Sequence, residues 1–283
     1  MTGETAHGLR GEYAGMRPDY TVDQDWAAYT PAEHALWRRL YERQAVLLPK
    51  YACREFIDSL AALDFSAGIP RFDAVNPKLA SATRWRIVAV PGLLPDRVFF
   101  EHLANRRFPV TVWLRKPGEF DYIVEPDVFH DFFGHVPLLF DPVFADYLEA
   151  YGRGGLKADA LGAIEMLARL YWYTVEFGLI ETPAGLRTYG AGILSSGGEL
   201  PHSIESAAPN RIGFDLLRIM RTRYKIDTFQ ETYFVIREFR ELFEATAPDF
   251  TPHYAALAGR EPIPAGAVLS TDRVIGRGTP TAR

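Results

Sequence analysis

The stretch Glu125-Pro-Asp-Val-Phe-His-Asp-Phe-Phe-Gly-His135 places two histidines five residues apart in an apolar, aromatic segment. On a straight α-helix, positions i and i+5 are about 140° apart at roughly 100° per residue, so His130 and His135 would not share one face. For both imidazoles to reach one metal ion, the helix must bend or end between them, and Gly134 and Pro137 offer a place. We therefore predict a short helix with His130 inside it and His135 at or just past its end.

A third metal ligand is available in Glu176, a carboxylate in the most hydrophobic segment of the chain. A helix is predicted over 160–180, and from Met166 onward nearly every position is apolar or aromatic, which indicates burial on all sides. A carboxylate is costly to bury in such surroundings unless it is paired or bound to a metal. The alternative partner for Glu176 is an arginine such as Arg169 or Arg106.

Two histidines and one carboxylate that leave coordination positions open form the facial triad of non-haem Fe(II) oxygenases. The same ligand types with one bound water suit zinc in a hydrolase, and the spacing alone does not separate the two metals. A third interpretation is that both histidines are core residues hydrogen-bonded to backbone carbonyls. At the level of residue types, all three interpretations stay open.

Composition limits the class of protein. In 283 residues, 48% hydrophobic and 13% aromatic side chains are enough to build a sizeable core, which argues against global disorder. The formal net charge of −5 argues against a nucleic-acid binder, which normally carries a basic stripe. Cys53 is the single cysteine, so no internal disulfide can form. With no apolar run long enough for a membrane span and no signal-peptide pattern, we predict a soluble cytoplasmic protein.

The pattern along the chain predicts a fold that is mainly α-helical with small β-sheets. Thr30, Pro31 and Glu33 form a capping-box signature for a helix that Pro49 should end near Leu48. Other predicted helices cover 53–63, 95–105, 126–135, 142–151, 214–223 and 233–245, and predicted strands cover 85–90, 108–114 and 186–189.

The organisation predicted for the whole chain is one compact domain over 23–250. A loose leader is expected over 1–22, and an irregular, polar tail is expected over 251–283. The run Gly152-Arg-Gly-Gly155 predicts a turn after the helix over 142–151, because glycine clusters usually interrupt helices.

Three segments resemble the signature motifs of the pterin-dependent aromatic amino acid hydroxylases. They are Glu125–Leu139, Tyr171-Trp-Tyr-Thr-Val-Glu-Phe-Gly-Leu179 and Tyr189-Gly-Ala-Gly-Ile-Leu-Ser-Ser196. They occur in the family's order and spacing, and the resemblance extends from about Trp85 to Pro248. It implies the single catalytic domain of that family, here 23–250. It also implies that the iron ligands are His130, His135 and Glu176.

The resemblance implies a site for an amino acid substrate. Arg115 resembles the arginine that holds the substrate carboxylate, since a planar guanidinium pairs with a carboxylate through two hydrogen bonds. Asp127 is similar to the partner of that arginine, and it would also serve as the N-cap of the short helix. Ser195 resembles a residue that helps to bind substrate and steadies an iron-ligand histidine. The residues implied to line the pocket for the substrate ring are Pro126, Trp172, Phe177 and Gly192.

The resemblance also implies a tetrahydropterin site, with a stacking phenylalanine, a loop whose backbone bonds the ring edge, and two residues on the other flank. Phe99 is the implied stacking residue, and the backbone at Gly92 and Leu94 would bond the ring edge. Ala168 and Tyr171 would lie on the other flank of the ring. Many animal members carry glutamate directly after the first histidine, whereas this chain has Asp131. The shorter side chain of Asp131 would reach the pterin only through water.

The implied reaction is monooxygenation of an aromatic amino acid with Fe(II), a tetrahydropterin and O2. Trp172 matches phenylalanine- and tyrosine-specific members, and Val235 falls where tyrosine-specific members carry an acidic residue, so phenylalanine is the expected substrate. The chain is most similar to the short bacterial phenylalanine 4-hydroxylases, which are commonly monomeric. Its expected partners are small molecules, not nucleic acids or membranes. Alternatives are a tryptophan or tyrosine hydroxylase of this family, a zinc-dependent hydrolase, and a non-catalytic protein that binds pterin or amino acid.

Overall fold

The computed structural model describes residues 10–279 and confirms a mainly helical fold with two small β-sheets. The α-helices are α1 Pro31–Tyr51, α2 Arg54–Leu63, α3 Phe72–Thr83, α4 Asp96–Ala104, α5 Pro142–Ala160, α6 Ile164–Tyr171, α7 Ala191–Leu194, α8 Glu199–Glu205, α9 Leu216–Arg221, α10 Phe239–Thr246 and α11 Thr251–Leu257. The strands are β1 Arg86–Val90, β2 Arg107–Thr111, β3 Leu179–Thr182, β4 Gly185–Thr188, β5 Asn210–Gly213, β6 Thr232–Ile236 and β7 Val274–Gly276. Helical segments of other pitch are the 3-10 helices Trp26–Ala28, Pro117–Glu119 and Val136–Phe140 and the π-helices Phe129–His135 and Trp172–Glu176.

The two sheets lie in different parts of the chain. β1 and β2 pair in parallel, with Ala89 opposite Val110. The larger sheet has the order β4-β3-β6-β5-β7, with β6 paired in parallel to both of its neighbours. All five residues of β6 are buried, as expected for a parallel strand covered on both faces.

The predicted helix over 233–245 is wrong in its first half, because Thr232–Ile236 is strand β6 and α10 begins only at Phe239. A short apolar run is compatible with a buried helix or a buried strand, and here pairing with β3 and β5 selects the strand. The predicted helix over 160–180 is also too long, since its end is divided between the second π-helix and β3. The predicted strand over 108–114 ends at Thr111.

The start of α1 follows the local sequence signal. The Thr30 hydroxyl accepts a hydrogen bond from the Glu33 backbone N–H, and the Glu33 carboxylate accepts one from the Thr30 backbone N–H. The expected end at Leu48 is wrong, because the helix continues through Pro49 to Tyr51. Proline removes one backbone hydrogen bond, but Leu48 and Tyr51 are both buried, and their packing holds the last turn in place.

The expected turn at the glycine run is also wrong, because α5 passes through it without interruption to Ala160. A Cβ on Gly152 would lie 2.4 Å from the Ala104 backbone nitrogen, and one on Gly155 would lie 2.1 Å from Cδ1 of Phe100. These glycines therefore allow α5 to pack closely against α4, and they do not break the helix.

The tail contains more regular structure than expected, whereas the described part of the leader contains none. Residues 1–9 and 280–283 lie outside the described range, and residues 10–22 contain no helix or strand. The tail expected to be irregular contains α11 and β7, and β7 pairs with β5. Arg218 of α9 forms a buried ion pair with Asp272, which attaches the chain leading into β7 to the domain.

The first π-helix lies in an aromatic core. Trp37 of α1 packs edge-on against Phe129 with ring centroids 5.1 Å apart, and Phe65 packs against Phe132 at 4.8 Å. Phe129 and Phe133 stack at 4.7 Å. This packing fixes the segment that carries His130 and His135. Over residues 10–279, no helix has the length and hydrophobicity needed to cross a membrane.

Candidate functional site

The two histidines approach each other because their segment is wound as a π-helix. In a π-helix the backbone hydrogen bonds link residues five apart, so positions i and i+5 fall nearly one above the other. His130 Nε2 and His135 Nε2 lie 3.3 Å apart. The expected bend or end between the histidines is therefore wrong, whereas the predicted placement of His130 inside a short helix and of His135 at its end is confirmed. From His135 the chain continues directly into the 3-10 helix that contains Pro137. Gly134 serves instead to admit α7, since a Cβ there would lie 2.8 Å from the Ala191 carbonyl oxygen.

Glu176 reaches the same point from the second π-helix. Its Oε1 lies 3.2 Å from His135 Nε2, and its Oε2 lies 3.5 Å from His130 Nε2. The arginines considered as alternative partners are engaged elsewhere. Arg169 pairs with Glu165 and donates to the Met220 carbonyl, and Arg106 pairs with Asp146 and Glu149.

The protonation of His130 can be derived from its neighbour Ser195. The Ser195 hydroxyl donates its only hydrogen to the Ala191 carbonyl at 2.8 Å, and His130 Nδ1 lies 3.0 Å from the same Oγ. Because the hydroxyl hydrogen is already used, Nδ1 must be the donor to Oγ. A neutral His130 then carries its proton on Nδ1 and presents the lone pair of Nε2 toward Glu176 and His135.

The electrostatics of this cluster favour a neutral His130 beside an ionised Glu176. Burial lowers the pKa of His130, although the Glu176 charge opposes this shift. Burial acts to raise the pKa of Glu176, but the two histidines and the Gly192 backbone outweigh it and hold that pKa below its usual value. Two imidazole nitrogens and one carboxylate form a donor set that suits a divalent transition metal.

A second carboxylate, Asp131, also lies near the histidines. One of its oxygens is within 4.8 Å of the ligand atoms of His130 and His135, so proximity alone would include it in the cluster. However, Asp131 Oδ2 accepts the Thr111 backbone N–H at 2.8 Å, which ties the π-helix to β2. Burial raises the pKa of Asp131. We favour Glu176 as the ligand, because its two oxygens face the two Nε2 atoms.

Arg115 and Asp127 form a buried, bidentate ion pair. Nε and Nη2 of Arg115 donate to the two carboxylate oxygens of Asp127, each at 2.9 Å. Asp127 Oδ1 also accepts the His130 backbone N–H at 3.0 Å, so Asp127 bridges Arg115 and the start of the π-helix. Burial opposes ionisation of Asp127, but the Arg115 charge and these hydrogen bonds keep its pKa below the usual value. The helix expected from 126 begins later, at Phe129, and Pro126 lies half-buried just before Asp127.

The residues expected to hold an aromatic ring form one wall. Trp172 and Phe177 are five residues apart across the second π-helix, and their ring centroids lie 4.7 Å apart. Gly192 backs this wall, since a Cβ there would lie 2.9 Å from Cζ of Phe177. On its other side, Trp172 stacks on Tyr224 at 4.4 Å and donates its indole N–H to Gln230 Oε1 at 2.9 Å.

Of the residues expected to hold a pterin, Tyr171 lies beside His135 and Phe99 contacts Tyr171. Tyr171 stacks near the His135 ring at 6.3 Å, and Phe99 meets Tyr171 edge-on at 5.5 Å. Leu94, which precedes Phe99 in the chain, and Ala168, which precedes Tyr171, are both half-buried. Gly92 lies under the leader, because a Cβ there would lie 2.6 Å from the Arg10 carbonyl oxygen and 2.7 Å from the Tyr13 hydroxyl.

A family model for biopterin-dependent aromatic amino acid hydroxylases matches residues 10–251. The chain belongs to this hydroxylase family. Among curated members, the phenylalanine-4-hydroxylase of Ralstonia nicotianae is 62% identical over 275 residues, covering 97% of this chain and 87% of that protein. The phenylalanine-4-hydroxylase of Chromobacterium violaceum is 63% identical over 261 residues, covering 92% of this chain and 88% of that protein.

A solved structure of another aromatic amino acid hydroxylase has the same fold. The crystal structure of phenylalanine hydroxylase from Chromobacterium violaceum bound to cobalt superposes with a TM-score of 0.90 at 63% identity. The match covers 91% of this chain and 93% of that chain.

Several residues around the site of this hydroxylase were missed by sequence reasoning. Tyr224 and Gln230 contact Trp172 from a loop before β6, and Thr111 anchors Asp131. In the leader, the Tyr13 hydroxyl donates to the Leu93 carbonyl at 3.1 Å. None of these positions belongs to a local motif, so only long-range contacts reveal them.

Proposed function

We propose that this protein is a tetrahydropterin- and Fe(II)-dependent monooxygenase that converts L-phenylalanine to L-tyrosine with O2. The observation that carries the proposal is the convergence of His130 Nε2, His135 Nε2 and the Glu176 carboxylate within 3.5 Å of one another. The family and the names of its relatives support the choice of reaction.

The proposed iron ligands fit the metal chemically. His130 presents a neutral nitrogen whose opposite ring nitrogen is already hydrogen-bonded to Ser195, and Glu176 supplies one negative charge. A bound Fe(II) would supply the activation of O2, which amino acid side chains do not provide. A relative has been crystallised bound to cobalt, which supports a metal cofactor.

The substrate would be oriented by its carboxylate and by its ring. One edge of the Arg115 guanidinium is bound to Asp127, and the Nη1 side would meet the carboxylate of phenylalanine. Trp172, Phe177 and Gly192 would then hold the ring by face and edge contacts, with Pro126 and Ser195 completing the pocket. Excluding water from this apolar wall would protect the reaction from side products.

The pterin would lie near His135. Phe99 would stack on the ring, Tyr171 and Ala168 would flank it, and the backbone at Gly92 and Leu94 would bond its edge. Asp131, held by Thr111, would act on the pterin through water.

The test is anaerobic reconstitution with Fe(II) or Zn(II), followed by addition of tetrahydropterin, O2 and each of the three aromatic amino acids. We expect tyrosine from phenylalanine with Fe(II) only, and Glu176→Ala should abolish its formation. A zinc-dependent activity would favour the hydrolase alternative, and hydroxylated tryptophan or tyrosine as the main product would reassign the substrate. Turnover that survives Glu176→Ala would remove Glu176 from the metal site.

We further propose that the protein acts as a monomer in the cytoplasm. The resemblance to short bacterial members supports the monomer, and a single buried cysteine, Cys53, suits a reducing compartment. Sedimentation equilibrium at micromolar concentration tests the first statement, and cell fractionation tests the second.

A further inference from the structure

The side chain of Gln230 connects the aromatic wall to the loop in front of β6. Its Oε1 accepts the indole N–H of Trp172 at 2.9 Å. Its Nε2 donates to the carbonyls of Lys225 and Thr228, at 3.1 Å and 3.4 Å. Gln230 itself is only 4% exposed, so its carboxamide is largely shielded from solvent.

The partners of Gln230 fix the orientation of its carboxamide. An indole N–H can only donate and a backbone carbonyl can only accept, so the amide oxygen must face Trp172 and the amide nitrogen must face the loop. A flipped amide would place donor against donor and acceptor against acceptor. The same carboxamide thus connects the orientation of the Trp172 ring to the conformation of the loop over 225–230.

The backbone of Gln230 is held by Glu199. The Gln230 backbone N–H donates to Glu199 Oε1 at 3.1 Å, and the Tyr233 hydroxyl donates to the same oxygen at 2.7 Å. Glu199 begins α8, and Tyr233 lies in β6 at the centre of the large sheet. The support of the aromatic wall thus extends from Trp172 to rigid elements of the domain.

Tyr224, at the other end of this loop, stacks on Trp172 with an interplanar angle of 16°. The indole is thereby held at one face by Tyr224, at its N–H by Gln230, and at its other side by Phe177. Tryptophan has two rotatable side-chain bonds, so a hydrogen bond at the ring edge restricts rotation that stacking alone permits.

We propose that Gln230 is a positioning residue that sets the selectivity of the pocket for phenylalanine over tryptophan by holding the plane of Trp172. The inference rests on the proposed function, because it assigns a task within the aromatic amino acid pocket. With the hydrogen bond present, the indole presents a fixed wall that fits a single six-membered ring. Without it, the wall can turn and admit a larger bicyclic ring.

The test is a double-mutant cycle with Gln230→Met and Trp172→Phe in the iron-loaded enzyme. For each variant, kcat and KM are measured with phenylalanine and with tryptophan. In the wild-type background, Gln230→Met should lower the ratio of kcat/KM for phenylalanine to kcat/KM for tryptophan about three- to tenfold, through a lower KM for tryptophan and a higher KM for phenylalanine. In the Trp172→Phe background, where no indole N–H remains, the same change should alter the ratio less than about twofold.

The matched control is Gln24→Met, which removes two side-chain hydrogen bonds, to Pro70 and Phe72, in another part of the domain. Gln24→Met should lower the melting temperature without changing the ratio of kcat/KM for phenylalanine to kcat/KM for tryptophan. If Gln230→Met does not fold, Gln230→Ala takes its place in the cycle. An equal effect of the Gln230 change in both backgrounds, or an unchanged ratio in the wild-type background, overturns the inference.

The outcome is separable from the proposed function. If the wild type forms no tyrosine from phenylalanine, the proposed function fails before the cycle begins. If the wild type is active and the two changes act additively, only the assignment of Gln230 fails.

Discussion

At the scale of single residues, the Ser195 hydroxyl group determines which ring nitrogen of a neutral His130 carries the proton. Because Ser195 Oγ donates to the Ala191 carbonyl, it can only accept from His130 Nδ1, and this leaves Nε2 free of a proton. Hydrogen bonds of this kind orient metal-binding histidines and select their tautomer. Ser195 should therefore influence metal affinity without touching the metal itself.

We expect Ser195→Ala to weaken Fe(II) binding by about 10- to 100-fold, because His130 loses the acceptor that holds its tautomer and ring orientation. The dissociation constant is measured by anaerobic titration of the metal-free protein. The control is Ser203→Ala, which removes a buried hydroxyl bonded to the Leu200 carbonyl in α8. An Fe(II) affinity equal to that of the wild type would show that Ser195 does not act on His130.

At the scale of elements, glycine determines how closely α4 and α5 approach. Gly155 faces Phe100, whereas Gly154, one residue away on the same helix, has no atom within 4 Å of a built Cβ. Both glycines thus have the same low helix propensity, but only Gly155 packs against a neighbouring helix. Their comparison separates helix propensity from packing.

Gly155→Ala should destabilise the protein by about 1–3 kcal/mol, since the added methyl group would lie 2.1 Å from Cδ1 of Phe100 and must displace it. Gly154→Ala should instead stabilise it by up to about 1 kcal/mol, because alanine has the higher helix propensity and meets no neighbour. Urea midpoints of the two variants measure the difference. Stabilisation by both changes would mean that α4 and α5 are not in close contact.

At the scale of the whole molecule, Glu199 links α8, β6 and the loop over 225–230. Burial raises the pKa of Glu199 from 4.5 to about 7, although its hydrogen bonds to Tyr233 and Gln230 act in the opposite direction. Between these two pH values the folded protein retains a proton that the unfolded chain releases. The Glu199 contribution to the free energy of unfolding therefore falls as pH rises from about 4.5 to about 7 and stays low above that.

Glu199→Gln should remove this pH dependence, because a glutamine oxygen can accept both hydrogen bonds but does not ionise. The free energy of unfolding of the variant, relative to wild type, should rise by up to about 3 kcal/mol between pH 5 and pH 8. Each unit of difference between the folded and unfolded pKa of Glu199 corresponds to about 1.4 kcal/mol. Urea unfolding of both proteins across this range gives the comparison. Parallel pH profiles would show that Glu199 titrates near its ordinary value.

Local chemistry made much of the fold and the candidate site predictable. The capping box at Thr30 needs only residues three apart, and the strand over 85–90 carries its own β-forming pattern. The residue types of a histidine pair and a buried glutamate made a metal site one of three open interpretations. The family motifs were recognised for the same reason, since each is a short contiguous segment.

Tertiary contacts decided what local patterns could not. His130 and His135 bring their Nε2 atoms within 3.3 Å because the segment is wound as a π-helix, which is packed in an aromatic core. Whether Thr232–Ile236 became helix or strand depended on β3 and β5, and the role of Gly155 depended on Phe100. The sequence by itself determined which chemical groups are available, whereas packing between distant segments determined their pitch, spacing and orientation.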